Sequence, residues 1–278
     1  MIGAGYWGPK LARNLRELAE TDLVAIAEAD SERHDWLRDR FPGIAVLTDH
    51  RDLLALNLEA VAIATPAATH HALAREALVA GKHVLVEKPM ACSLEEADDL
   101  LAAAAGSGLV LMVGHTFEYN PAVELLRRLY AAGELGRLYY AHAARLNLGI
   151  FQPDINVLWD LAPHDVSILI YVLGQMPRSV RAYGRAYVRA AVEDVAWITL
   201  QFDNGIAAHV HVSWLDPCKT RKVTLVGDRK MAVYDDVASL DKVVIYDRGV
   251  EVPPYTDTFG EFQLSYRYGD VFTPRLDW

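Results

Sequence analysis

The segment Gly3-Ala4-Gly5-Tyr6-Trp7-Gly8 constrains the fold most. Its G-x-G-x-x-G spacing, with Pro9 directly after it, reads as a tight loop that opens a helix. The first glycine permits the turn, the second lets a ligand approach the backbone, and the third lets helix and strand pack closely. Free N–H groups at the start of the helix then face an anion. Glu28 lies 20 residues beyond Gly8, at the end of an apolar run. A carboxylate placed there accepts hydrogen bonds from both hydroxyls of a ribose. Loop, helix and acid together point to a dinucleotide. One feature departs from this pattern. A strand of about five or six residues should precede the loop, whereas only Met1 and Ile2 do. The expectation is a chain shortened at its start, which binds NAD poorly or aggregates. The place beside Ala60–Thr65 would be empty or filled by another segment.

Strands and helices alternate through the first half. Leu23–Ala29, Ile44–Leu47, Ala60–Thr65, His83–Glu87 and Leu109–Gly114 read as strands. Ser31–Phe41, Asp49–Leu56, Thr69–Ala80 and Ala97–Ala105 read as helices, the last opened by a Ser93/Glu96 capping box. Continuous apolar strands separated by helices indicate a parallel sheet covered on both faces. The pattern then changes. Asn120-Pro121 opens a helix through Ala132, Arg137–Leu146 is a strand, and a further helix ends at Leu173-Gly174. From Ser179 the chain is mostly strand: Ser179–Arg189, Asp194–Phe202, Ile206–Leu215, Arg221–Gly227, Lys230–Tyr234 and Lys242–Asp247. Asn204-Gly205 marks a hairpin. The fold class is therefore α/β. An N-terminal dinucleotide-binding domain spans 1–117, and an α+β domain with a large, mainly antiparallel open sheet spans 118–278. In Ile206–Leu215, Ile206, Ala208, Val210, Val212 and Trp214 should face the helices. Ala207, His209, His211 and Ser213 should line the open face.

Composition narrows the class of function. Twenty-seven Lys+Arg against 37 Asp+Glu leave a net charge of −10, without the basic balance that nucleic acid requires. Two cysteines, Cys92 and Cys218, are too few for a disulfide framework or zinc cluster and suit a reducing compartment. No apolar run approaches 18 residues, and no signal peptide is read. The expectation is a cytoplasmic protein without a metal, a nucleic-acid partner or a membrane span.

Three side chains could carry chemistry. Glu87-Lys88-Pro89 closes the strand His83–Glu87, the fifth parallel strand when the short one before the glycine loop is counted, and ligands of such sheets sit outside the carboxyl ends of the strands. The competing reading is a solvated lysine. Asp160 and His164 stand four apart, one helical turn. Pro163 places the helix start just before it, with Asp160 in or ahead of the first turn. His164 can shuttle a proton near neutral pH, or it is a hydrogen-bonded structural histidine.

With Thr65-Pro66, the following His70 and Asp160-x-x-x-His164-Asp165, these motifs resemble the glucose–fructose oxidoreductase/inositol dehydrogenase (Gfo/Idh/MocA) family over essentially the whole chain. The resemblance implies a Rossmann domain, an open-sheet second domain, and NAD(P)-dependent oxidation or reduction of a sugar or cyclitol hydroxyl. It matches Lys88, Asp160 and His164 to catalytic positions. Gly3, Gly5, Tyr6, Trp7, Gly8, Glu28, Thr65, Pro66, His70, Glu87 and Lys88 match cofactor-lining positions. The stretches Gly114–Pro121 and Ser213–Pro217 look like the nucleotide-sugar branch, which includes UDP-N-acetylglucosamine 3-dehydrogenases. The family also continues beyond a stretch like Pro274–Trp278, so a shortened C-terminal end is expected as well.

Hydride transfer between nicotinamide and a secondary alcohol carbon needs orientation and proton transfer from the protein. His164 would accept the hydroxyl proton, Lys88 would hydrogen-bond the oxygen, and Asp160 would orient the histidine or hold a sugar hydroxyl. Asn147, Asn156, Lys219 and Arg221 are candidate substrate contacts, the last two toward a diphosphate or as an exposed strand start. NAD is expected over NADP because Glu28 repels a 2′-phosphate, although Arg33 lies nearby. The partners expected are a small sugar or nucleotide sugar and further copies of the chain, as a dimer or tetramer. The alternatives are a keto-sugar reductase, an inositol-type dehydrogenase or a non-catalytic dinucleotide-binding regulator.

Overall fold

The computed structural model describes residues 1–149, 151, 155–251 and 265–276. The chain divides into two compact units, Met1–Gly114 and His115–Trp278.

The first unit runs α1 (Gly8–Glu17), β1 (Ala25–Ala27), α2 (His34–Arg40), β2 (Ala45–Leu47), α3 (His50–Leu54), β3 (Ala60–Ile63), α4 (His70–Val79), β4 (His83–Val86), α5 (Leu94–Ser107) and β5 (Leu111–Val113). β1 pairs with β2, β3 with β4, and β4 with β5, all parallel. The place between β1 and β3 was expected to be empty or foreign. It is filled by the first residues of the chain, because Ile2 bridges Ala27 on one side and Ile63 on the other. Ile2 N–H donates to Ala62 O (2.8 Å) and Ile2 O accepts from Ala64 N–H (2.9 Å). Met1 O accepts from Ala27 N–H (2.9 Å) and Gly3 N–H donates to Ala27 O (2.8 Å). Three residues thus satisfy the backbone on both flanks and join two part-sheets into the doubly wound order. Both faces are packed. Leu53, Ala74, Leu78 and Leu100 lie under one face with Ile2 and Ile63, and Ala12, Leu37 and Phe41 lie under the other with Met1 and Ile26.

The second unit runs α6 (Pro121–Ala131), β6 (Leu138–Leu148), α7 (Val157–Leu173), β7 (Ser179–Arg185), β8 (Val195–Gln201), β9 (Ala207–Ser213), β10 (Leu215–Gly227), β11 (Met231–Asp235), β12 (Val243–Glu251) and β13 (Ser265–Phe272). Its eight strands are ordered β13-β12-β11-β10-β6-β9-β8-β7. Every pair is antiparallel except β6 with β9. Leu126 of α6, Ile168 and Leu169 of α7, and Ala143, Val210 and Leu225 of the sheet share one core.

Several boundaries move. α7 starts at Val157, six residues ahead of Pro163, with Asn156 as its N-cap. Pro163 is carried inside the helix, at the cost of one main-chain bond. β10 starts at Leu215 rather than Arg221, with an irregular register between Leu215 and Thr220. β13 was not read as a strand. Ser213 is buried rather than on the open face, and its Oγ accepts from Leu215 N–H at 3.0 Å. Asp277 and Trp278 lie outside the described residues.

Candidate active site

In the first unit the three loop glycines differ in what they permit. Gly3 has φ +86°, and a Cβ there would fall 2.5 Å from Thr65 Cγ2. A Cβ on Gly8 would fall 2.3 Å from Gly3 O, so the third glycine lets the helix meet the loop. A Cβ on Gly5 would meet nothing of the protein within 4 Å. Its open side is where a diphosphate can reach the backbone. No side chain caps α1 and no acid sits in its first turn, so the positive end of the helix dipole is not neutralised from within the helix. These features fit a dinucleotide. Tyr6 and Trp7 stand exposed on the loop, with Lys10 Nζ 3.8 Å and 4.2 Å from their ring centroids.

Glu28 follows β1 directly. Its Oε2 accepts from Ala4 N–H (2.6 Å) and its Oε1 from Asp30 N–H (3.0 Å). Arg33 Nη2 donates to Ala4 O at 2.7 Å, so Ala4 of the glycine loop is held through both its N–H and its carbonyl. At the ends of β3 and β4, Thr65 Oγ1 accepts from Thr69 Oγ1 (2.7 Å), and Glu87 N–H donates to Ile63 O (2.9 Å). Pro66 opens the turn into α4. His70 is only 2% exposed. Its Nδ1 faces Pro89 O (2.7 Å) and its Nε2 faces Thr65 O (2.8 Å). Its place is thus behind the surface: it braces the turn after Lys88 against the end of β3. A Cβ on Gly114 would come within 3.1 Å of Glu87 Oε2, so the bare glycine makes room for that carboxylate. The Lys88–Pro89 peptide is cis.

In the second unit Asp160 occupies the first turn of α7 and His164 follows one turn later. Both are half-buried. Asp160 Oδ2 accepts from Trp214 Nε1–H at 3.1 Å. The His164 ring meets Phe117 edge-on, with centroids 5.3 Å apart. The Arg145 guanidinium lies 4.6 Å from the Phe117 centroid. Arg145 also forks onto Asp165 through Nε (3.0 Å) and Nη2 (2.9 Å). Burial pushes the Asp165 carboxyl up and the guanidinium draws it back. Tyr234, whose hydroxyl donates to Asp236 Oδ1 (2.9 Å), is pushed well up by burial and that carboxylate.

The four candidate substrate residues have different surroundings. Asn156 caps α7, accepting from Trp159 N–H (3.2 Å) and donating to Glu193 Oε2 (2.8 Å), so both ends of its amide are engaged within the protein. Arg221 pairs with Asp236 (3.3 Å) inside β10 rather than at a strand start. Lys219 is exposed on the same strand, and Asn147 is half-buried near the end of β6. Sequence reasoning did not anticipate the support behind His164. The available signal was Asp165, a charge on the apolar side of a helix, which must find a partner if buried.

Comparisons with known proteins bear on the family and the fold. The profile of the oxidoreductase family with NAD-binding Rossmann fold matches residues 1–115, and that of the GFO/IDH/MocA C-terminal domain matches 123–233. UDP-N-acetylglucosamine 3-dehydrogenase of Acidithiobacillus ferrooxidans is 34% identical over 269 residues, 91% of this chain and 78% of that protein. The chain spans less of other relatives, for example 60% of D-apiose dehydrogenase of Paraburkholderia graminis, at 29% identity and 77% of this chain. The structure of the Acidithiobacillus enzyme GnnA superposes with TM-score 0.78 at 32% identity, covering 88% of this chain and 78% of that one. GenD2 from gentamicin A biosynthesis, solved with NAD, superposes with TM-score 0.82 at 27% identity, covering 100% and 80%. The chain, with its NAD-binding Rossmann half and open-sheet half, belongs to the Gfo/Idh/MocA oxidoreductase family.

Proposed function

We propose that the protein is an NAD-dependent dehydrogenase that oxidises a secondary hydroxyl of a sugar, at C3 of a nucleotide-linked N-acetylhexosamine. The observation that carries this reading is the 34% identity over 91% of the chain to a UDP-N-acetylglucosamine 3-dehydrogenase. Lys88, Asp160 and His164 are the side chains the chemistry needs, and all are present.

A bound NAD would supply the hydride acceptor. The backbone at Gly5 and the start of α1, shaped by Gly3 and Gly8, would hold the diphosphate, and Glu28 would hold the ribose. Lys88 donates a hydrogen bond to the substrate oxygen as negative charge develops on it. His164 takes the hydroxyl proton, a contribution typically worth about 10²–10⁴-fold. Asp160 orients the histidine or an adjacent sugar hydroxyl. Lys219 supplies a positive charge toward a nucleotide diphosphate.

The experiment is turnover of UDP-sugars, free N-acetylhexosamines and cyclitols with NAD, followed by absorbance of the reduced nicotinamide. UDP-N-acetylglucosamine should react at least tenfold faster than its free sugar or any inositol. Turnover of inositols alone, or of keto-sugars only in the reductive direction, would replace this reading with one of those activities.

A further inference from the structure

Asp160 and Trp214 are contributed by different elements of the second unit, and one hydrogen bond joins them. Trp214 lies in the bend between β9 and β10 and is 1% exposed. Its indole N–H, a donor only, gives its one hydrogen bond to Asp160 Oδ2 at 3.1 Å.

Two consecutive residues hold both partners. Glu193 O accepts from Val157 N–H (2.9 Å), and the Glu193 carboxylate accepts from the Asn156 amide (2.8 Å). Together they pin the end of α7 that carries Asp160. The next residue, Asp194, accepts from Trp214 N–H through its carbonyl (2.9 Å). Asp194 is 1% exposed, and its Oδ2 is fixed by Tyr187 N–H (2.8 Å) and Val188 N–H (2.7 Å). From the other side Gly149 N–H donates to Trp214 O (3.0 Å). A Cβ at residue 149 would fall 2.6 Å from Trp214 Cδ1, so glycine is what lets the indole sit there. The Phe151 ring meets the indole at a tilt, with centroids 5.4 Å apart.

We propose that Trp214 is a positioning residue that holds the Asp160 carboxylate in one rotamer, with Glu193-Asp194 as the brace that fixes their spacing. The inference rests on Asp160 serving the reaction proposed above. A free aspartate samples several χ1 wells. An indole anchored on three sides removes that freedom before substrate arrives, and catalysis depends on geometry set in advance.

The test is Trp214→Phe in the full chain, which keeps an aromatic ring and removes the N–H. With UDP-N-acetylglucosamine, kcat should fall at least tenfold, KM for NAD should stay within twofold, and melting should remain cooperative. Asp160→Asn combined with Trp214→Phe should cost little more than Asp160→Asn alone. Independently of activity, the ¹⁵N-indole resonance of Trp214, identified by its loss in Trp214→Phe, should move in Asp160→Asn. A kcat within twofold of wild type in Trp214→Phe, or an indole resonance unmoved by Asp160→Asn, overturns the proposal. Should Trp214→Phe fail to fold, the indole resonance is assigned by sequential methods and decides. A wild-type protein that turns over no sugar overturns the proposed function instead, while the same resonance still reports the hydrogen bond.

Discussion

Arg145 and Asp165 form a two-pronged ion pair, at 2.9 Å and 3.0 Å, with both side chains all but sealed from solvent. Removing either partner strands a charge where water cannot reach it, which costs about 3–5 kcal/mol. Arg145→Ala is expected to lower the unfolding free energy, measured by denaturant titration, by that amount. Replacing both with apolar residues of similar size should restore most of it. A loss below about 1 kcal/mol in the single variant would mean that the pair is hydrated in solution.

Lys88→Ala should abolish turnover with little change in NAD affinity, because the hydrogen bond it supplies matters only as charge develops. Loss of one such donor costs about 10²–10³-fold in kcat. A kcat within tenfold of wild type, measured beside an unchanged NAD titration, would remove Lys88 from the reaction.

Glu28 should favour NAD over NADP. Its carboxylate is already fixed by the Ala4 and Asp30 N–H groups, and a 2′-phosphate brought beside it is repelled. Arg33, which could offset that charge, is engaged with the Ala4 carbonyl. Kd for NADP should exceed that for NAD by more than tenfold, and Glu28→Ser should narrow the gap. Equal or tighter binding of NADP to the wild type in calorimetry would contradict this.

The open face of the large sheet should be a contact between copies. Tyr183, Trp197 and His211 stack across β7, β8 and β9 with centroids 6.1 Å and 5.1 Å apart, and Trp197 remains 44% exposed. His142 and His211 are held below the usual histidine range, mainly by burial. An aromatic face of this size is costly to leave wet. Solution scattering at micromolar concentration should give a dimer or tetramer mass, and Trp197→Glu should shift it toward monomer. A monomeric wild type would refute the assignment.

A polypeptide whose first residue is Met1 should show a further pH dependence. Burial lowers its α-amine from 8.0 to about 5, and the amine donates to Ala25 O at 2.8 Å. The folded value lies below the unfolded one, so between pH 5 and 8 the unfolded chain binds the extra proton. Stability should therefore rise with pH across that window by about 1.4 kcal/mol per unit. Acetylating the amine, or placing about five apolar residues before Met1, should flatten the slope. An unchanged slope would show that the amine is solvated.

Sequence patterns located nearly every element, because apolar runs and caps such as Ser93, Asn120 and Gly174 are local signals. They failed where the cause was distant. β13 is held by cross-strand partners on β12, and Pro163 argued locally for a helix start that Asn156, braced by Glu193, overrides. Met1 and Ile2 were too few to read as a strand. They act as one because β1 and β3 present pairing groups on both sides. Lys88, Asp160 and His164 stood out through motif spacing. The ties of Trp214 to Asp160 and of Arg145 to Asp165 did not, because the partners are 54 and 20 residues apart.

The parallel pairing of β6 with β9 also governs the order in which the chain can assemble. β6 has β9 on one side and β10 on the other, and both lie later in the chain. Fifty-eight residues lie between Leu148 and Ala207. At about 5–20 residues per second, a strand already synthesised waits roughly 3–12 s for its first neighbour. Of the elements made in that interval, α7 is the one that packs on β6. α7 is therefore the helix placed to cover, until β9 is made, the strand that becomes the middle of the sheet.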